Sequence, residues 1–125
     1  MSQALDTMTP AESGAGDVPP EVLDALGDDD LRFKVWGGDW CPDCTEQLPR
    51  FAAVLEAAGV PPDRVEQYPV EKVDGEKVGP GMDQYGVGYI PTVLVLRDGK
   101  EVARFVESAD VSIAEYLARE LTDEE

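Results

Sequence analysis

The chain has 125 residues, 42% of them apolar, with 27 acidic and 10 basic side chains, no histidine and a formal net charge of −17. That length suits one domain, and so acidic a surface repels phosphate backbones and anionic membranes, which excludes nucleic acid as an expected partner. The best apolar run, Val87 to Leu96, is broken by Gly88, Pro91 and Thr92 and falls short of a membrane span, while the lack of histidine removes Ser-His and Cys-His catalysis and His-containing zinc sites.

Residues 1–18 are small and polar without any period, and read as a flexible tail ahead of one domain over 19–125. No Lys or Arg precedes Arg32 and no apolar core of a leader is present, so a cleaved secretory signal is not expected and a cytoplasmic location is. Pro19-Pro20 opens a short helix with Val22, Leu23 and Leu26 on its apolar face and Gly27 as its stop. Asp28-Asp29-Asp30 reads as a solvated turn rather than a metal site. Leu31 to Trp36 alternates strictly and predicts a strand, left by the loop Gly37-Gly38-Asp39-Trp40.

From Pro42 to about Gly59 the spacing is helical, with Leu48, Phe51, Ala52 and Leu55 on one face and Pro49 expected to kink it. Residues 64–73 form a second strand region broken by Pro69, and 74–88 a glycine-rich connection holding one short helix around Met82 to Tyr85. Thr92 to Leu96 is an apolar strand and Arg97-Asp98-Gly99-Lys100 a hairpin turn into the strand Glu101 to Val106. Ser112 to Leu121 closes the chain as an amphipathic helix with Ile113, Tyr116, Leu117 and Leu121 inward. The order αβαβαββα predicts an α/β fold, a central mixed sheet flanked by helices on both faces.

Cys41 and Cys44 lie too close in sequence to staple a fold. A lone C-x-x-C leaves three readings: half of a zinc site, two buried structural thiols, or a redox pair. The zinc reading lacks a second pair. The position favours redox chemistry, because the pair sits where a strand ends and a helix begins. There the unpaired N–H groups and the dipole favour a thiolate on Cys41, and Cys44, one turn further in, is close enough to attack a mixed disulfide made by Cys41. Pro42 suits the first helical turn, which does not need its N–H. Asp43 stabilises the helix start but opposes a neighbouring thiolate.

The stretch Trp36-Gly37-Gly38-Asp39-Trp40-Cys41-Pro42-Asp43-Cys44 resembles the active-site segment of the thioredoxin superfamily. Its Trp-Cys-Pro-Asp-Cys form is similar to that of certain thioredoxin-related proteins rather than to the commoner Trp-Cys-Gly-Pro-Cys. Pro49 matches the family's kinking helix proline, Tyr89-Ile90-Pro91-Thr92 the loop whose proline is cis, and Arg97-Asp98-Gly99-Lys100 the hairpin turn that follows. The likeness covers about residues 21–121. It implies a thioredoxin-like fold and a cis Ile90-Pro91 bond that turns the Ile90 backbone toward an extended substrate strand. It departs from the family at Val35, where a buried Asp is usual, at Val70, the place of an accompanying Lys, and at Glu107-Ser108-Ala109, where a glycine is common. Proton handling on Cys44 would then fall to water or Asp43.

The resemblance implies a disulfide reductase with Cys41 as nucleophile, Cys44 as resolving thiol, and Trp40, Ile90 and Pro91 binding substrate. Pro42 and Asp43 would tune the pair. Cys41 is expected to be exposed and Cys44 buried, Trp40 a partly exposed platform, and Trp36, Tyr85 and Tyr89 structural. No cofactor and no metal are expected. The implied partners are disulfide-containing substrates and a thioredoxin-reductase-type electron donor, with the chain a monomer that binds neither nucleic acid nor membrane. A redox-sensing binding protein without turnover is the alternative, and a non-catalytic interaction domain a third. The acidity, spread from Asp6 to Glu125, reads as adaptation to a salty cytoplasm ahead of partner steering or an acidic tail.

Overall fold

The computed structural model describes residues 20–28, 30–38, 40–79, 81–106 and 113–123. Its elements run α1 (Pro20–Leu26), β1 (Leu31–Gly37), α2 (Pro42–Ala57), β2 (Val65–Pro69), β3 (Glu71–Val73), β4 (Glu76–Val78), α3 (Met82–Tyr85), β5 (Thr92–Arg97), β6 (Lys100–Val106) and α4 (Ile113–Asp123). The tail expected over 1–18 and the Glu107-Ser108-Ala109 departure lie outside the described residues.

Four strands form one mixed sheet in the order β2-β1-β5-β6. β1 runs parallel to β2 and antiparallel to β5, and β5 runs antiparallel to β6. The alternation in β1 divides its side chains between two faces. Leu31, Phe33 and Val35 are buried on the first, where Phe33 meets Phe51 of α2 edge-on at 6.2 Å. Phe105 of β6 likewise meets Tyr116 of α4 at 5.5 Å, and α1 packs on both α2 and α4. Fully burying a Leu or Phe of this kind contributes about 1.5–3 kcal/mol, so this face holds most of the core.

On the second face Trp36 is fully buried, stacked on Tyr68 of β2 at 4.7 Å, with Tyr85 of α3 tilted against it at 5.5 Å. Helices therefore cover both faces, as the element order predicts. Lys34 sits beside Trp36 on this face and bonds Glu66 at 2.7 Å and Tyr68 at 2.9 Å; Tyr68 also donates to Glu66. Burial works against the Lys34 charge, but these two hydrogen bonds outweigh it and raise its pKa. The Lys34 hydrogen bond, followed by that from Tyr68, holds the Glu66 carboxyl below its usual range. The cluster ties the edge strand β2 to β1.

Helix α2 starts where a proline costs nothing, with Pro42 in its first turn and Cys41 extended at the N-cap (φ −91°, ψ 121°). Pro49 falls inside this single helix and has no N–H to give the carbonyl one turn back. The helix ends at Ala57 with Ala58 as its cap, and Gly59, with a φ of +80°, turns the chain so that Gly59 N–H meets Glu56 O at 3.1 Å and Val60 N–H meets Leu55 O at 3.0 Å.

One sequence expectation is corrected. The connection over 74–88 does hold a short helix at Met82–Tyr85, but it also holds a strand. Glu76–Val78 pairs antiparallel with Glu71–Val73 about the turn Asp74-Gly75, both with positive φ (51° and 84°). The Asp-Gly step that marks the 98–99 hairpin marks this one too.

Candidate active site

The cysteine pair lies where β1 gives way to α2. Cys41 N–H bonds Gly38 O at 3.0 Å, and Thr45 N–H bonds Cys41 O at 3.0 Å to begin the helix. Cys41 makes no side-chain cap hydrogen bond, and the N–H groups and dipole of the helix start lie beside its sulfur. Cys44 is fully buried and accepts the Gly38 N–H at 3.4 Å. Both thiols are free. Cys41 was expected to be exposed, and this is corrected: it is only 8% exposed and belongs to the same apolar cluster as Val70 and Ile90. A helix terminus leaves its backbone open locally, but nearby segments close over this side chain. Cys41 remains the more accessible of the two.

Trp40 is 43% exposed, a partly open platform beside Cys41 as expected. Its orientation is fixed. Nε1–H donates to Val70 O at 2.8 Å, and Lys72 Nζ lies 5.9 Å from the ring centroid. Val70 is held in turn by its own N–H, which bonds Gly37 O at 2.7 Å. Gly38 and Val70 O are the site groups that sequence reasoning missed. The Gly37-Gly38 step was the available signal for the first, and nothing local marks the second.

The Ile90-Pro91 bond is cis, as the resemblance implies. Thr92 pairs with Trp36 at the end of β1, so the loop entering β5 lies at the same end of the sheet as the loop leaving β1. Ile90 and Pro91 are buried, and Thr92 Oγ1 donates to Tyr89 O at 2.5 Å. Tyr85 packs on Trp36 and is structural, as expected. Tyr89, expected to be structural, is 56% exposed. The tertiary arrangement thus ties Cys41 and Cys44 to Gly38 through direct hydrogen bonds and Trp40 to Val70 O, with Ile90-Pro91 at the same end of the sheet.

The sequence model of the family described as Thioredoxin matches residues 33–119. The chain belongs to the thioredoxin family. Its role is accordingly a thioredoxin-type redox one. Among solved structures it is similar to thioredoxin from Fasciola hepatica, at 25% identity and a TM-score of 0.52, over 81% of this chain and 90% of that one. Mitochondrial thioredoxin 3 of Saccharomyces cerevisiae, in its oxidized form, shares 17% identity at a TM-score of 0.50, over 83% and 88%. Trxlp from Edwardsiella tarda shares 18% at 0.51, over 83% and 93%. Comparison with curated protein sequences gives no match.

Val35 and Val70, which the resemblance sets at the places of a usual Asp and an accompanying Lys, are both buried. No carboxylate from Val35's position reaches the thiol. Burial, opposed by the Gly38 N–H and helped by the Cys41 thiol and the Asp43 charge, pushes Cys44 from 9.0 up to about 12. Asp43 itself is exposed in the first turn of α2. Among the described residues no three His, Cys, Asp or Glu side chains converge as a metal site.

Proposed function

We propose that the protein reduces protein or small-molecule disulfides by dithiol exchange through Cys41 and Cys44. The observation that carries this reading is the asymmetry of the pair: Cys41 at the open helix N-terminus with 8% exposure, and Cys44 fully buried against the Gly38 N–H. The Cys41 thiolate attacks one sulfur of the substrate; the new S–S bond forms as the substrate bond breaks, and the leaving sulfur takes a proton from water. Cys44 then gives up its proton to water or to Asp43. Its sulfur attacks Cys41, closing the intramolecular disulfide and releasing the second substrate thiol. Two electrons and two protons have passed to the substrate.

Gly38 supports the second step. Its N–H is aimed at the sulfur that must become a thiolate, offsetting part of the burial cost. Trp40, Ile90 and Pro91 would receive an extended substrate segment at this end of the sheet, and a thioredoxin-reductase-type donor would return the dithiol. The chain is read as a monomer with no bound cofactor, working in a cytoplasm whose salt its acidity suits. The test is turnover in a disulfide-reduction assay with dithiothreitol as electron source; no turnover by the reduced protein, with Cys41 demonstrably alkylatable, sinks the reading. The low exposure of Cys41 favours one second reading, a redox-sensing binding protein, for which oxidation would change partner affinity without turnover.

A further inference from the structure

The β3–β4 hairpin is used by none of the chemistry above. It follows β2 after one residue, Val70, and so leaves the sheet at the end where β1 leads to Cys41. Its two strands pack chiefly on each other. Residues 71–76 are all exposed, and so is Val78. A two-stranded hairpin standing alone is marginal in water. This one is braced by its Asp74-Gly75 turn and by Trp40, through the Nε1–H to Val70 O bond and the Lys72 ammonium over the ring.

The bracing sets which face looks outward. Lys72, which pairs in register with Lys77, is turned to Trp40, so the alternation of β3 puts Glu71 and Val73 on the opposite face. The register Glu71 to Val78 and Val73 to Glu76 adds Val78 and Glu76 to that face. The outcome is a square with valines on one diagonal and carboxylates on the other, diagonal neighbours lying about 7–8 Å apart. Val73 is 48% and Val78 51% exposed, uncovered apolar surface on the hairpin face turned away from Trp40, at the end of the sheet where β1 leads to Cys41.

We propose that this face docks an extended segment of the disulfide substrate in which apolar residues are flanked by Lys or Arg. The inference rests on the reductase reading and names its substrate class. Apolar side chains would cover Val73 and Val78, and their cationic neighbours would meet Glu71 and Glu76. The net charge of −17 steers such a segment inward and repels an acidic one. Lys72 stays engaged with Trp40, which leaves the outer face acidic.

Three disulfide-bridged peptides with one scissile bond and Leu-Lys, Leu-Glu or Ser-Gly flanks test this at low ionic strength. For each protein kcat/KM is divided by its value for hydroxyethyl disulfide, which has no flanks. Wild type is expected to favour the Leu-Lys peptide over Leu-Glu by about tenfold. A Glu71→Gln, Glu76→Gln double variant should narrow that ratio to about threefold or less, and Val73→Ser, Val78→Ser should bring both leucine peptides near Ser-Gly. Thioether-bridged versions, which cannot be reduced, should bind wild type in the same order by fluorescence anisotropy. Failure to turn over hydroxyethyl disulfide would sink the reductase reading, and the thioether peptides would still judge the docking face. Equal binding of the Leu-Lys and Leu-Glu peptides, a preference for Leu-Glu, or a preference that survives both double variants would overturn the proposal.

Discussion

Gly38 donates its backbone N–H to the Cys44 sulfur while its α-carbon faces the Trp40 ring. A Cβ at position 38 would stand 2.7 Å from Trp40 Nε1, 2.8 Å from Cε2 and 3.1 Å from Val70 O. The ring cannot retreat without giving up its bond to Val70 O. Gly38→Ala should therefore cost about 1–3 kcal/mol of stability, as overpacking does, and expose Trp40 further. A denaturant titration followed by tryptophan fluorescence reads both. Wild-type stability would mean that the ring swings aside freely.

The two cysteines should separate cleanly in labelling. Iodoacetamide should modify Cys41 before Cys44 in the reduced protein, since only Cys41 retains accessible surface. Cys41→Ser should abolish turnover, and Cys44→Ser should trap mixed disulfides that survive to a mass spectrum. Labelling of Cys44 first would reverse the assignment of nucleophile and resolving thiol.

Stability of the reduced form should fall in alkali. Cys44 is raised from 9.0 to about 12, so between those values the folded chain keeps a proton that the unfolded chain has lost. The stabilisation is complete below pH 9 and drains away as pH climbs toward 12. Cys44→Ala should flatten this slope in urea melts of the reduced protein, and the oxidised wild type should lack it. Asp43→Asn removes one charge that opposes the thiolate, so the ultraviolet thiolate titration of Cys44 should move to lower pH. An unmoved titration would show that the Asp43 charge is screened by solvent.

Salt should stabilise the fold. Repulsion within a chain carrying −17 is relieved by unfolding, and the screening length shortens from about 10 Å at 0.1 M salt to about 3 Å at 1 M. The melting temperature should rise as KCl goes from low concentration to above about 1 M, chloride being chosen because sulfate also strengthens apolar burial. A flat melting temperature would favour partner steering as the reason for the acidity.

Features governed by neighbours along the chain were legible in the sequence. Leu31 to Trp36 alternates because one face of β1 is core, and Pro42 marks a helix start because the first turn needs no donor there. The same locality places Cys41 at the start of α2 and Cys44 one turn further in. The Asp74-Gly75 hairpin was less legible than Asp98-Gly99, although the turn chemistry is the same. β5 and β6 flank their turn with apolar residues that the core selects, whereas β3 and β4 are three residues each and bury no face. With nothing to bury, a strand leaves little pattern behind.

What only the tertiary structure decided are the contacts between residues far apart in sequence. Trp40 reaches Val70 O across 30 positions, and Lys34 reaches Glu66 and Tyr68 across 32 and 34. The parallel pairing of β1 with β2 brings these partners together. The near-burial of Cys41 has the same origin. Its place at the helix terminus is set by the residues beside it, while its exposure is set by whichever distant segments pack over it.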